Sequence, residues 1–477
     1  MLIQFRKTLI DQRQEETNMQ LGKVKFGTKL SILLGFLGQA LLTGLVAGYI
    51  TYFGTDIIGI SALAMGNILL ASRIFDGVTD IMMGAVIDKT KSPAGKARPW
   101  IIRSVIPFIL FTILLFSTPG ALPEGGKIAW IFIFYNLYAL GYTALGCAMS
   151  TLNVRLSRDE KEINGISTMI MFGMILGNVM INALAVGLLT ALSGGSDKYT
   201  RGAFIKLTVI LSAITLVGTL LSYFTTTELP DVEEGRKKEN TKESILSLLK
   251  NKYWVIQLLN TVMIYLGLNA RLAAMIYYGM YVIGNPALIP VLVIADNVPS
   301  LLCMPVALAV SNKFGKRRTA LVGLCLTMIG FALMFLNIHN LPLFVAGLVI
   351  KGIFFAPVQG ANNAFIADCA LYGEWKTGIK AEGMAYSAIS FANKCSSGLA
   401  GVLVGWVLAA TGYVGGAATQ AASAVNGIIF LYVGVTFLCT VGQIILFILY
   451  DLDNKMPEVR KALSDRDAAA PDNKEKR

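Results

Sequence analysis

The stretch Arg73-Ile-Phe-Asp-Gly-Val-Thr-Asp80 lies inside an apolar run that reaches from about Ser61 to Ile87. Its two carboxylates, Asp76 and Asp80, are four residues apart. On a helix that spacing puts both on one face, one turn above the other. A run of this length is what a bilayer core requires. A charged side chain at the bilayer centre costs about 3 kcal/mol even on the mild insertion scale. Two acids on one face of a membrane helix are therefore costly as mere packing, and holding a cation is the use that accounts for them. The competing reading is an ion pair with Arg73 or Lys394, which would make the acids structural.

The rest of the chain fits a membrane setting. Of 477 residues, 55% are hydrophobic and only 15% charged, and the mean hydropathy is +0.63. A soluble domain of this size needs more charge to cover its surface. Twelve spans can be placed, at about 30–53, 61–87, 100–118, 128–152, 165–192, 203–225, 253–283, 288–310, 319–338, 341–367, 383–410 and 424–450. Cationic loops follow the even-numbered spans: Lys89 to Arg98, Arg155 to Lys161, Arg236 to Lys242, Lys313 to Arg318, and Lys376 to Lys380. The alternate loops carry few cations. This alternation accounts for the net charge of +12 without nucleic acid and predicts that both termini are cytoplasmic.

The expected organisation is a tail over 1–28, six spans over 29–225, a polar loop over 226–252, six spans over 253–450 and a tail over 451–477. The loop contains Thr241-Lys-Glu-Ser-Ile-Leu-Ser-Leu-Leu-Lys250, which has the period of an amphipathic helix. The C-terminal tail is expected to be disordered from about Ser464. The halves echo each other: Gly95-Lys-Ala-Arg98 follows span 2 and Gly315-Lys-Arg-Arg318 follows span 8. Repeated six-span halves are a transporter architecture. The six cysteines show no metal-ligand spacing and read as reduced thiols. His339 is the single histidine. There is no nucleophile–base set for an enzyme, no Walker loop for an ATP-driven pump, and no cofactor is expected beyond a coupling ion.

These motifs resemble the glycoside–pentoside–hexuronide:cation symporters of the major facilitator superfamily. The resemblance rests on Gly84-Ala-Val-Ile-Asp88 with Gly95-Lys-Ala-Arg-Pro-Trp100, and on Lys29-Leu-Ser31, Thr55-Asp56-Ile-Ile-Gly59, Arg73-Ile-Phe-Asp76 and Asp80. It continues through Leu249-Lys-Asn-Lys252, Tyr281-Val-Ile-Gly284, Ile366-Ala-Asp368, Tyr372-Gly-Glu-Trp-Lys-Thr-Gly378 and Ala385-Tyr-Ser387. It implies an all-α membrane protein of twelve transmembrane helices in two six-helix bundles, working as a monomer in the cell membrane on a small solute such as a sugar.

By the same resemblance, Asp76 and Asp80 match the family's cation-site carboxylates, with Thr79 and Thr143 completing an all-oxygen set. Such a set suits a hard monovalent cation or a proton, and the residues do not choose between sodium and a proton. Lys394 matches a lysine near both ligands, and Arg73 joins it as a coupling residue. The melibiose-transporting members differ at the sugar site. Their span-1 aspartate is Ala40 here, beside Gln39, and their span-4 aspartate and tryptophan are Gly146 and Ser150. Melibiose is thus not the expected substrate. Gln39, Ser150, Gln359 and Ser390 are the candidate solute contacts.

Arg271 and Asp296 fall at similar depths in spans 7 and 8. They form either a mutually satisfied pair or, through Arg271, a bidentate reader of a solute carboxylate or hydroxyls. Asp88, Lys96, Arg98, Lys316, Arg317, Arg318, Asp368 and Glu374 lie at helix ends and read as a gating charge network. Cation-coupled symport by alternating access is the function these features imply. A non-transporting sensor on the same fold, and a proton-coupled carrier or exchanger of a non-sugar solute, are the alternatives.

Overall fold

The computed structural model describes residues 24–90, 92, 95–157, 160–195, 199–228, 247–338, 340–378 and 382–469. The chain forms two compact units. One comprises Met1–Glu234 with Tyr413–Ala418, and the other Gly235–Gly412 with Thr419–Arg477. Each holds a six-helix bundle.

In the first unit the helices are α1 (Phe26–Tyr52), α2 (Ala62–Lys89), α3 (Arg98–Phe116), α4 (Glu124–Arg155), α5 (Glu160–Leu192) and α6 (Arg201–Thr225). In the second they are α7 (Lys252–Tyr277), α8 (Ile289–Phe314), α9 (Lys316–Leu336), α10 (Leu341–Thr377), α11 (Glu382–Ala410) and α12. The last of these joins Ala422–Ile429 to Val435–Leu449 through a π-helical turn, Phe430–Gly434. A tail helix, α13, spans Met456–Ala469. Eleven of the twelve bundle helices are long and apolar enough to cross a membrane. The twelfth, α2, has 28 residues and carries the charged stretch that lowers its hydropathy.

The packing repeats six helices later. In the first unit α1 packs on α5 and α6, α3 on α4 and α6, and α2 on α4. In the second, α7 packs on α11 and α12, α9 on α10 and α12, and α8 on α10. Lipid offers no hydrophobic drive for helices to associate, so close backbone approach has to supply it. Gly173 and Gly177, one turn apart on α5, allow this. A Cβ added at either would stand 2.5 or 2.6 Å from the carbonyl oxygens of Leu33 and Leu37 on α1. Hydroxyls add cross-links. Thr215 Oγ1 donates to Gly38 O at 2.8 Å, and Ser222 Oγ donates to Ser31 O at 2.6 Å.

Both units close with the same clasp. After α6, the Glu228 carboxylate accepts the backbone N–H groups of Lys96, Ala97 and Arg98 at 2.9, 2.9 and 2.7 Å. The N–H groups of Ala97 and Arg98 are orphan donors at the start of α3, where the helix dipole also favours an anion. Arg98 returns the contact. Its Nη2 donates to Tyr223 O at 3.0 Å, and its guanidinium lies 4.6 Å over the Tyr223 ring. After α12, Asp453 Oδ2 accepts the N–H of Arg317 at 2.7 Å. Arg317 in turn donates to Phe447 O and Ile448 O at 2.9 and 2.7 Å.

Aromatic plugs also recur. Phe53 opens a π-helical turn after α1, and its ring packs against Phe116 and Phe204 at 5.0 and 5.2 Å. Tyr278 opens the π-helical turn after α7 and stacks on Tyr432 and Phe344 at 4.4 and 5.3 Å.

Several helices run a few residues past the expected limits, and two differences are larger. The tenth helix runs past residue 367 to Thr377, because no breaker intervenes until Gly378, whose φ of +73° ends it. The tail is helical through Ala469 rather than disordered from Ser464. Met456 and Val459 bury their side chains, and Arg460 Nη2 meets Asp368 Oδ1 at 3.2 Å. Most of the amphipathic segment 241–250 lies outside the described residues.

Candidate functional site

In the first unit the polar centre is α2. Asp76, Thr79 and Thr143 are all buried. Arg73 Nη1 pairs with Asp76 Oδ2 at 3.1 Å across one turn of the helix, and Arg73 Nη2 donates to Tyr135 Oη at 3.2 Å. Tyr135, Tyr138 and Tyr142 share one face of α4, with successive ring centroids 5.8 and 6.4 Å apart. Asn136 Nδ2 donates to Ser72 Oγ at 3.0 Å and ties α4 to α2 one residue before Arg73. Thr79 Oγ1 donates to Asp76 O at 3.1 Å.

The Arg73–Asp76 pair is thus present as the structural reading required. It does not exhaust the charge. By sequence, the stretch Arg73–Asp80 carries one more acid than base. The Asp80 side chain lies outside the described residues. Gln39 is buried, and its Nε2 donates to Tyr142 O at 3.4 Å. A Cβ at Gly146 would stand 3.4 Å from that amide nitrogen. Ser150, farther along α4, is exposed.

In the second unit a cavity of about 100 Å³ lies among α7, α8, α10 and α12. That is several times the ~10–15 Å³ one water centre needs. Arg271 and Asp296 line it as a bidentate pair, with Nη1 to Oδ1 at 2.6 Å and Nη2 against Oδ2. A third charge completes the group: Lys351 Nζ donates to Asp296 Oδ1 at 2.5 Å. Side-chain exposure is only 11% for Arg271 and 7% for each of the other two.

Lys351 is not among the residues that the sequence analysis singles out. Its signal was there: a lone cation in the apolar run of span 10, where an intramembrane charge marks function by default. Gly352 sets its reach. A Cβ at Gly352 would lie 2.6 Å from Asp296 O, so only glycine lets α10 come this close to α8. The neutral polar side chains are graded around this centre. Gln359 Oε1 accepts from Ser300 Oγ at 3.2 Å, and Asn362 Oδ1 accepts from Gln257 Nε2 at 2.7 Å. Gln359 therefore lines the same cavity as Arg271. The Ser390 side chain lies outside the described residues. Lys394 is half-buried on α11.

The sequence profile of the family described as MFS/sugar transport protein matches residues 31–454, nearly the whole of both bundles. The chain belongs to this family. An isoprimeverose transporter of Lactiplantibacillus pentosus is 28% identical over 447 residues, covering 93% of this chain and 92% of the relative. A glucuronide carrier protein homolog of Escherichia coli K12 is 24% identical over 400 residues, covering 82% of this chain and 85% of the relative. The crystal structure of a D-xylose–proton symporter superposes with a TM-score of 0.62, covering 88% of this chain and 97% of its own at 16% identity. That likeness speaks for the fold alone. The protein is a secondary transporter with the major facilitator fold, a multi-pass membrane protein and not an enzyme.

The helix-end charges of this MFS transporter fall into two groups. Lys316 pairs with Asp368, which is 2% exposed, and Arg460 of the tail helix reaches the same carboxylate. Lys96, Arg98 and Arg317 belong to the clasps described above, Arg318 is exposed and Glu374 is half-buried. The Asp88 side chain lies outside the described residues. Glu228 and Arg460 were absent from the sequence reading, since only folding brings them to their partners.

Proposed function

We propose that this transporter is a cation-coupled symporter of a glycoside, a hexuronide or a related small solute, taken up across the cell membrane by alternating access with both termini in the cytoplasm. The observation that carries the reading is the buried Asp76 carboxylate on α2, with Arg73 against it, Thr79 and Thr143 buried in the same unit, and Asp80 one turn away. A second acid in an apolar run is costly, and one sodium ion or proton offsets its charge. The relatives named for isoprimeverose and glucuronide transport support the solute class.

In this mechanism the cation binds first and relieves the charge on α2. Lys394 and Arg73 relay that change to the solute seat, and both ligands then leave on the inner side. Each positive charge moved inward through 100 mV adds about 2.3 kcal/mol of drive.

The test is uptake into proteoliposomes of a panel of glycosides and hexuronides under separate sodium and proton gradients. One gradient accelerates uptake of at least one solute, and Asp76→Asn or Asp80→Asn abolishes that dependence. Equal uptake with and without either gradient overturns the coupling. Uptake of none of the panel under any gradient overturns the symporter reading.

A further inference from the structure

The second unit's cavity holds more cations than acids. Arg271 and Lys351 supply two cations and Asp296 one carboxylate, so the cluster holds one surplus positive charge in a largely buried place. A buried surplus charge is costly. Simple ion pairing needed only Arg271, which already engages both carboxylate oxygens. Lys351 is forced to share Oδ1 with Arg271 Nη1, at 2.5 and 2.6 Å. Two cations converge on one oxygen, and the cavity opens beside them.

The position is also meaningful within the repeat. Asp296 follows Asp76 by 220 residues, the same interval that separates the Gly95 and Gly315 loop motifs. Each half thus places an aspartate in its second helix at the same distance before its loop motif. In the first unit an arginine of the same helix meets it. In the second, cations from α7 and α10 meet it, with Gly352 admitting α10.

We propose that the Arg271–Asp296–Lys351 cluster is an oxyanion seat for the transported solute, and that Asp296 stands in for the solute's carboxylate when the seat is empty. The solute is then a small polyhydroxylated monoanion. Its carboxylate takes Lys351, and with it part of the Arg271 fork, from Asp296. The guanidinium's planar donors suit bidentate contact with a carboxylate, and the lysine acts as a point charge that can follow either anion. Ser300 and Gln359, in the same cavity, offer hydroxyl and amide partners for the polyol part. The proposal deepens the solute half of the symporter reading and rests on it only for the word transported.

The experiment is equilibrium binding to the purified full-length protein by calorimetry, with methyl β-D-glucuronide and its uncharged counterpart methyl β-D-glucoside as probes. The acid is expected to bind at least about tenfold more tightly than the glucoside, the size of a charge-assisted contact. Lys351→Met keeps the Arg271–Asp296 pair and removes the surplus charge. It should lose about tenfold or more of the acid affinity while leaving that for the glucoside within about twofold. Asp296→Asn removes the stand-in. It should melt at a lower temperature than the parent without ligand and regain most of that difference with the acid but not with the glucoside.

Equal binding of the two probes, no binding of the acid, or an acid affinity unchanged in Lys351→Met overturns the proposal. Acid binding that depends on Lys351 without gradient-driven uptake keeps the seat and removes the coupling. Gradient-driven uptake of glucosides by a protein that does not bind the acid does the reverse.

Discussion

At Asp296 one carboxylate holds two cations in a bundle interior. A buried pair adds little over an apolar replacement, but removing one partner leaves an uncompensated charge and costs about 3–5 kcal/mol. Asp296→Ala should therefore be among the most destabilising single changes in the second unit, by roughly that amount. Lys351→Met should cost less, since the bidentate Arg271–Asp296 pair survives it. Thermal unfolding of the two variants in one detergent orders them; the reverse order would refute Asp296 as the anchor of the cluster. Arg271→Gln separates structure from recognition differently. It should abolish uptake of an acidic sugar and spare a neutral one, whereas equal loss of both, restored by removing Asp296 as well, marks a purely structural pair.

Helix against helix, small residues and end caps do the positioning. Gly352→Val puts a side chain where 2.6 Å separates the Cβ position from Asp296 O, so α8 and α10 must part. Overpacking of this kind costs about 1–3 kcal/mol. It should also draw Lys351 away from Asp296, so acid binding falls together with stability. The clasp carboxylates act at the ends. Glu228→Gln weakens three contacts at the entry to α3 and should lower stability by about 0.5–2 kcal/mol. Asp453→Asn should do the same at α9 on a smaller scale, because among the described residues it accepts one backbone N–H, that of Arg317, where Glu228 accepts three. Hydrogen exchange at the first turns of α3 and α9 reads these effects locally.

For the molecule as a whole, the two units repeat one packing scheme, and the Arg73–Asp80 stretch of α2 has one more acid than base where the cluster around Asp296 has one more cation than acid. Symport of one monovalent cation with one monoanion moves no net charge. A potassium diffusion potential of 100 mV imposed with valinomycin should then change acid uptake by less than about twofold. Movement of one net charge would instead be driven by about 2.3 kcal/mol, a factor of several tens, and would refute that stoichiometry.

Composition, span length and the alternation of cationic loops were enough to reach a twelve-helix membrane protein, because a bilayer admits so few backbone solutions that hydropathy alone selects among them. The acids of α2 were legible for the same reason: an intramembrane charge is conspicuous against an apolar run. Arg271 and Asp296 were legible as a pair by depth, but Lys351 was not joined to them, since a residue 55 positions away in sequence becomes a neighbour only when α10 meets α8 at Gly352. The tertiary structure decided which cations share Asp296, that Glu228 and Asp453 close the two repeats, and that Arg460 folds the tail against Asp368. Each depends on distances between helices, which periodicity and spacing along a chain do not contain.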